Sequence, residues 1–258
     1  MIPLPPAFTS APIAHRAYHD RAAGRPENSL AAIEAAIAAG YGVEIDIQRS
    51  ADGVPMVFHD YDLRRLTGET GLVAQRPAAD LARLPLLGGT EGIPTLEAVL
   101  DLVAGRVPLL IEIKDQAGEM GEAVGPLERA VARQLSAYRG AAAVMSFNPH
   151  AIAILAEAAP EIPRGLTTCS FQAVRWPELP RPVRRRLRGI PDYERLGASF
   201  VSHRWSDLAR PRLAELRAAG ATLLCWTVRS PGEETIARRL ADNVTFEGYA
   251  ARLSAHAA

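Results

Sequence analysis

Gly42-Val43-Glu44-Ile45-Asp46-Ile47-Gln48 alternates aliphatic and polar side chains. A strand of this pattern turns Val43, Ile45 and Ile47 to one face and Glu44 and Asp46 to the other. On a surface strand, water would account for the two carboxylates. The surrounding sequence predicts instead a parallel strand covered on both faces, where like charges so close repel and lose hydration unless a cation joins them. His15-Arg16 precedes this strand and His59-Asp60 follows it, so the segment is expected to belong to a metal-dependent acid/base site.

Outward from this strand, short β-rich runs alternate with alanine-rich helical runs along the whole chain, the rhythm of consecutive βα units and a parallel sheet. Strands are expected over residues 12–15, 42–48, 107–114, 142–147, 164–169, 199–203, 222–228 and 243–247. Helices are expected over 29–39, 95–104, 121–138, 149–158, 182–196, 207–219 and 231–241, with a last one beginning at Ala250. Eight such units close a (β/α)8 TIM barrel, and 258 residues suit one such domain spanning the chain. Asn28 or Ser29 is placed to cap the first helix, and Gly40 and Gly220 to end helices. Residues 60–94 break the rhythm with Thr67-Gly68-Glu69-Thr70-Gly71 and Leu87-Gly88-Gly89, which predicts a small insertion over the barrel mouth.

Composition narrows the class further. The chain is 48% hydrophobic, and 29 basic residues balance 29 acidic ones, so neither a nucleic-acid surface nor a footprint for an acidic membrane is indicated. Any anion recognition must be local. Cys169 and Cys225 are isolated in apolar runs, as buried free thiols rather than a disulfide or zinc site. The first residues lack a basic start and an unbroken apolar stretch, and no run is long enough for stable membrane insertion. A cytoplasmic protein is the expectation; the sequence assigns no oligomeric state.

Of the 29 basic residues only Lys114 is a lysine. It ends Leu110-Ile111-Glu112-Ile113-Lys114, a strand that again alternates aliphatic and charged positions. A compact ammonium differs from a planar guanidinium fork, so a site requiring the former resists a general drift to arginine.

In a (β/α)8 barrel the reactive groups gather at the C-terminal ends of the strands. His15-Arg16, Glu44 with Asp46, His59, and Glu112 with Lys114 then converge on one rim. Three carboxylates with no cysteine nearby form an oxygen-rich set suited to a divalent metal, Mg²⁺ or Ca²⁺, rather than Zn²⁺. Adding two histidines, an arginine and a lysine points to a phosphate ester, with one imidazole taking a proton from the attacking hydroxyl while the other protonates the leaving oxygen. No serine or cysteine is set beside a base as an activated nucleophile.

At these residues the chain resembles the glycerophosphodiester phosphodiesterases. The resemblance is carried by Ile13-Ala14-His15-Arg16, Pro26-Glu27-Asn28-Ser29, Glu44-Ile45-Asp46, the run Asp52-Gly53-Val54-Pro55-Met56-Val57-Phe58-His59-Asp60, Leu63-Arg64-Arg65-Leu66-Thr67-Gly68, Ile93-Pro94-Thr95-Leu96-Glu97, Ile111-Glu112-Ile113-Lys114, Ser146-Phe147 and Trp226-Thr227-Val228. It implies a TIM barrel with an insertion after the second strand, and hydrolysis of a small-molecule glycerophosphodiester to glycerol 3-phosphate and an alcohol. It also implies His15 and His59 as the acid/base pair, Glu44, Asp46 and Glu112 as metal ligands, and Arg16 and Lys114 as phosphate contacts. Attack by the glycerol's own neighbouring hydroxyl, through a cyclic phosphate that water opens, belongs to the same picture.

Several positions depart from the family's pattern. Ala17 stands where glycine is usual after His-Arg, Ser29 where threonine is commoner, Arg229 where asparagine often follows Trp-Thr-Val, and the last strand reads Phe246-Glu247-Gly248-Tyr249 rather than ending Thr-Asp. None removes a proposed catalytic group, but the seventh and eighth strand ends would line the same rim and bear on substrate choice.

Blander readings stand beside these. Lys114 and Glu112 can form a structural ion pair, Glu27 and Asn28 can open a helix, and Trp226 can fill the barrel or wall the substrate's glycerol. His19 and His150 read as packed histidines; His203 ends a strand on the rim. The run Arg181 to Arg188 lacks interleaved aromatics and reads as a solvated helix face. A lysophospholipase D-type enzyme on the same barrel would demand an apolar rim, for which Leu84-Pro85-Leu86-Leu87 is the nearby candidate. A non-catalytic ligand-binding barrel would have lost one of the two histidines or three carboxylates, and none is lost.

Overall fold

A computed structural model describes residues 2–253. The alternation that opens the sequence is used in full by β2 (Gly42–Arg49): Val43, Ile45 and Ile47 share one apolar cluster with Ile33 and Ala36 of the helix Leu30–Ala38 and Val99 of the helix Leu96–Val103. Glu44 and Asp46 lie on the opposite face, turned into the molecule, and are buried. The other strands are β1 (Ile13–Ala14), β3 (Pro55–Val57), β4 (Leu109–Ile113), β5 (Ala142–Ser146), β6 (Arg164–Thr168), β7 (Phe200–Arg204), β8 (Thr222–Val228) and β9 (Asn243–Phe246). All but β3 are parallel to their neighbours, in the order β1-β2-β4-β5-β6-β7-β8-β9, and β9 pairs back onto β1. The sheet is a closed eight-stranded (β/α)8 TIM barrel.

Inside the barrel a lower layer of Ile13, Leu110, Ala143, Phe200 and Leu224 packs on Phe8 from the short turn Ala7–Ser10. Asn243 on β9 fastens that turn by donating its amide to the carbonyls of Phe8 and Ala11, at 2.7 Å each. Phe200 explains Gly165: a Cβ there would meet the phenyl ring at 2.5 Å. With the floor filled by apolar side chains, the polar positions of the same strands are left to the upper rim.

Four local features differ from the sequence expectation. β3 is an added antiparallel strand on β2, formed because Asp52-Gly53, with Gly53 at φ +85°, turns the chain back on itself. The helix expected from residue 121 begins at Pro126, where Glu128 accepts the Gly125 N–H at 2.6 Å. The helix expected over 182–196 breaks into Arg181–Gly189 and Asp192–Arg195, because Ile190 is left-handed (φ 50°) and Pro191 follows. Residues 250–253 are not helical, and the remainder of the helix expected from Ala250 lies outside the described residues.

Between β2 and the helix Leu96–Val103, short turns at Arg64–Thr67, Val73–Gln75 and Ala78–Leu81 surround a separate apolar cluster that includes Met56, Phe58, Leu63, Leu66 and Leu86. Among the described residues no helix is long and apolar enough to cross a membrane.

Candidate active site

Just beyond β1 the chain turns sharply: Arg16 and Ala17 both take left-handed backbone (φ 53° and 66°). Ala17 accepts the Cβ crowding that glycine would avoid there. The turn aims the Arg16 N–H at Glu44 Oε2, 2.8 Å away, and lays the guanidinium beside Asp46 and Glu27, at 3.5 and 2.8 Å.

Glu44, Asp46 and Glu112 each offer an oxygen to a cluster spanning at most 4.8 Å, and all three are buried. The register of β2 on β4, which sets Asp46 opposite Glu112, brings them together. Burial, reinforced by the charges of Asp46 and Glu112, holds the Glu44 carboxyl well above its ordinary range. Asp46 goes the other way: burial would raise it, but Lys114, His59 and Arg16 hold it well below. A buried, oxygen-only set whose mutual repulsion is expressed on Glu44 fits a hard divalent cation. Lys114 Nζ is 2.7 Å from Asp46 Oδ1 and 2.5 Å from Glu112 Oε1, and despite burial these two carboxylates keep it an ammonium. The Lys114–Glu112 ion pair therefore exists, and it sits within the carboxylate cluster. Asn28, left-handed at φ 60°, donates to Asp46 Oδ2 at 3.0 Å, while Ser29 caps the following helix.

Each histidine rests against an acid. His15 Nδ1 is 2.5 Å from Glu247 Oε2, and His59 Nδ1 is 2.6 Å from Asp60 Oδ1. Burial would raise Glu247, but hydrogen bonds from His15 and His19 and the charge of Arg229 hold it far below the carboxylate range. Burial would likewise raise Asp60, but His59 and Arg65 hold it below. An ionised carboxylate only accepts, so each Nδ1 carries its hydrogen and each Nε2 is left free for other work. Burial lowers the His15 pKa, with Glu247 opposing. Arg65, from the turn Arg64–Thr67, grips Asp60 Oδ2 at 2.6 Å and Glu27 at 2.8 Å, tying the segment that carries His59 to the acid that holds Arg16.

His15, Arg16, Glu44, His59, Glu112, Lys114 and Trp226 all line one cavity of about 160 Å³; Asp46 lies behind it in the carboxylate cluster. Trp226 both fills and walls: its indole N–H donates to the Ser202 carbonyl at 3.0 Å, and its ring packs edge-on against Phe147. His203 leaves the rim. It is buried on the outer face, between Thr168 at 2.6 Å and Asp207 at 3.2 Å. Of the candidate lipid rim, Leu84 and Leu86 pack in the cluster beneath the turns, while Pro85 and Leu87 are exposed.

Neither Asp60 nor Arg65 is predicted from the sequence to support the site. The His59-Asp60 dipeptide and the Phe246-Glu247 departure are the signals the sequence offers for Asp60 and Glu247, the acids that brace the histidines.

The sequence matches the glycerophosphoryl diester phosphodiesterase family over residues 15–246. The Bacillus subtilis protein YhdW is 28% identical over 228 residues, covering 84% of this chain and 86% of its own length. Human glycerophosphodiester phosphodiesterase 1 is 36% identical over 133 residues, which is 47% of this chain and 39% of the human protein. Among solved structures, an Oleispira antarctica phosphodiesterase in complex with the product sn-glycerol-3-phosphate superposes with a TM-score of 0.72 at 27% identity, covering 93% of this chain and 94% of its own. With a closed TIM barrel, the acidic cluster and a family match along nearly the whole barrel, the chain belongs to the glycerophosphoryl diester phosphodiesterase family and is a phosphodiester hydrolase.

Proposed function

We propose that this protein hydrolyses small glycerophosphodiesters to glycerol 3-phosphate and an alcohol by paired histidine acid/base catalysis. The observation that carries the reading is the pair of histidines, each braced through Nδ1 by an ionised carboxylate, lining the same cavity as Glu44, Glu112 and Lys114. Glu44, Asp46 and Glu112 would hold Mg²⁺ or Ca²⁺, which when bound supplies neutralisation of charge on the phosphoryl oxygens. Arg16 and Lys114 add fixed positive charge for the same oxygens.

One histidine Nε2 takes the proton from the glycerol's neighbouring hydroxyl as its oxygen bonds to phosphorus. The other gives a proton to the departing alcohol as its P–O bond breaks. Reversed roles then let water open the cyclic phosphate: the second histidine takes the water's proton and the first returns one to the glycerol oxygen. Burial of His15 favours its neutral form, as a base requires.

Release of glycerol 3-phosphate from a panel of glycerophosphodiesters and lysolipids, with and without chelator, tests the reading. Turnover of the small diesters that stops with chelator is expected. No product with either Mg²⁺ or Ca²⁺ would sink it, and ready hydrolysis of a diester lacking the neighbouring hydroxyl would replace internal attack by direct attack of water.

A further inference from the structure

Across the barrel from β1, β2 and β4, strand β7 ends in Arg204, whose guanidinium lies over the Trp226 ring 5.7 Å from its centroid. The platform is fixed, because the indole N–H is bonded to Ser202 and the ring packs on Phe147 with centroids 5.5 Å apart. Arg204 and Trp226 face the cavity shared by both histidines.

Among the described residues no carboxylate makes an ion pair with Arg204. Asp207, the carboxylate whose charge reaches it, is committed to His203 and Arg210. Burial together with the positive charges of Arg175 and Arg229 lowers the Arg204 pKa. A half-buried guanidinium with cationic neighbours is costly without a partner, and its planar fork suits an oxygen acid. The reacting phosphate already has Arg16, Lys114 and the histidines on the other side. The glycerol half of the substrate is uncharged and calls for hydrogen bonds only.

We propose that Arg204, stacked on Trp226, forms a subsite for an anionic group, phosphate or carboxylate, carried on the alcohol half of the diester. This substrate class rests on the phosphodiesterase reading above and makes diesters of cationic alcohols the poorer substrates.

Calorimetric titration in chelator, where turnover is stopped, separates the two. The probes are glycerophosphocholine, glycerophosphoglycerol, glycerophosphoglycerol phosphate and the N-acetylserine diester, the last two distinguishing phosphate from carboxylate. The anionic-alcohol diesters should bind about tenfold more tightly than glycerophosphoglycerol, as a charge-assisted hydrogen bond provides, with glycerophosphocholine weakest. Arg204→Gln should bring the anionic and neutral diesters within about twofold of each other, and Arg204→Lys should restore part of the difference. Equal Kd values in the wild type, or an anionic preference that survives Arg204→Gln, would overturn the subsite. The wild-type order needs no variant, so a variant that fails to fold leaves the proposal open to refutation. Restoring metal and finding no glycerol 3-phosphate from any probe would sink the phosphodiesterase reading instead, independently of the Kd ratios.

Discussion

Glu247 Oε2 lies 2.5 Å from Nδ1 of His15, across 232 positions of sequence and across the seam where β9 closes onto β1. Arg229 holds the other oxygen of Glu247 at 2.6 Å, so the acid is clamped from both sides. Replacing Glu247 by glutamine leaves the bulk in place and removes the charge that fixes the imidazole hydrogen on Nδ1. Turnover should fall on the order of 10²-fold with little change in thermal stability. Because Glu247 raises the His15 pKa against burial, the limb of the pH–rate profile belonging to His15 should also move to lower pH. Unchanged kcat and an unmoved profile would exclude the role.

Glu44 is the carboxylate on which the repulsion within the trio falls. Glu44→Gln should therefore melt no lower than the wild type in chelator. Mg²⁺ or Ca²⁺ at roughly 100 times its Kd should stabilise the wild type by about 2.7 kcal/mol, and the variant should lose that gain. Scanning calorimetry with and without metal reads both effects, and a variant that keeps the full metal-induced shift would remove Glu44 from the ligand set.

His203 predicts an acid-sensitive fold. Burial lowers its pKa from 6.5 to about 4, with Asp207 opposing. Between those values the unfolded chain binds more protons than the native one, so stability falls as pH falls through this window and is unaffected above it. From pH 7 to pH 5 this amounts to about 2 kcal/mol. Urea titrations at the two pH values should show the loss, and His203→Asn should flatten it.

Gly165 is held by Phe200 from the neighbouring strand. Gly165→Ala should cost roughly 1–3 kcal/mol through overpacking, and adding Phe200→Leu should recover part of it. Denaturant midpoints of the single and double variants check the coupling. Independent, additive losses would contradict the contact.

The fold was legible because strand and helix periods alternate so regularly. Val43, Ile45 and Ile47 announce an outward face, and Glu44 with Asp46 an inward one, before any neighbour is known. The carboxylate cluster was legible for the same reason, since parity alone puts Glu112 on the same side as Asp46 once β2 and β4 are adjacent. Supports arriving from distant parts of the chain were not. Neither the pairing of Glu247 with His15 nor that of Arg65 with Glu27 has a local spacing to betray it. His203 misled because strand parity turns it outward while its position at a strand end suggested the rim. The helix break at Ile190 hid within a good helical pattern because the left-handed residue there is not a glycine.

Asn243, which fastens the Phe8 turn beneath the barrel, opens β9, and Glu247 follows directly on that strand's end. One short segment, made after the other strands of the barrel, thus fastens the floor, joins the two edges of the sheet and meets His15. A nascent chain that has not yet released this segment holds both histidines and all three carboxylates, yet its barrel is unsealed and His15 lacks its acid. Closing the barrel and pairing His15 with Glu247 are a single event in the life of this polypeptide.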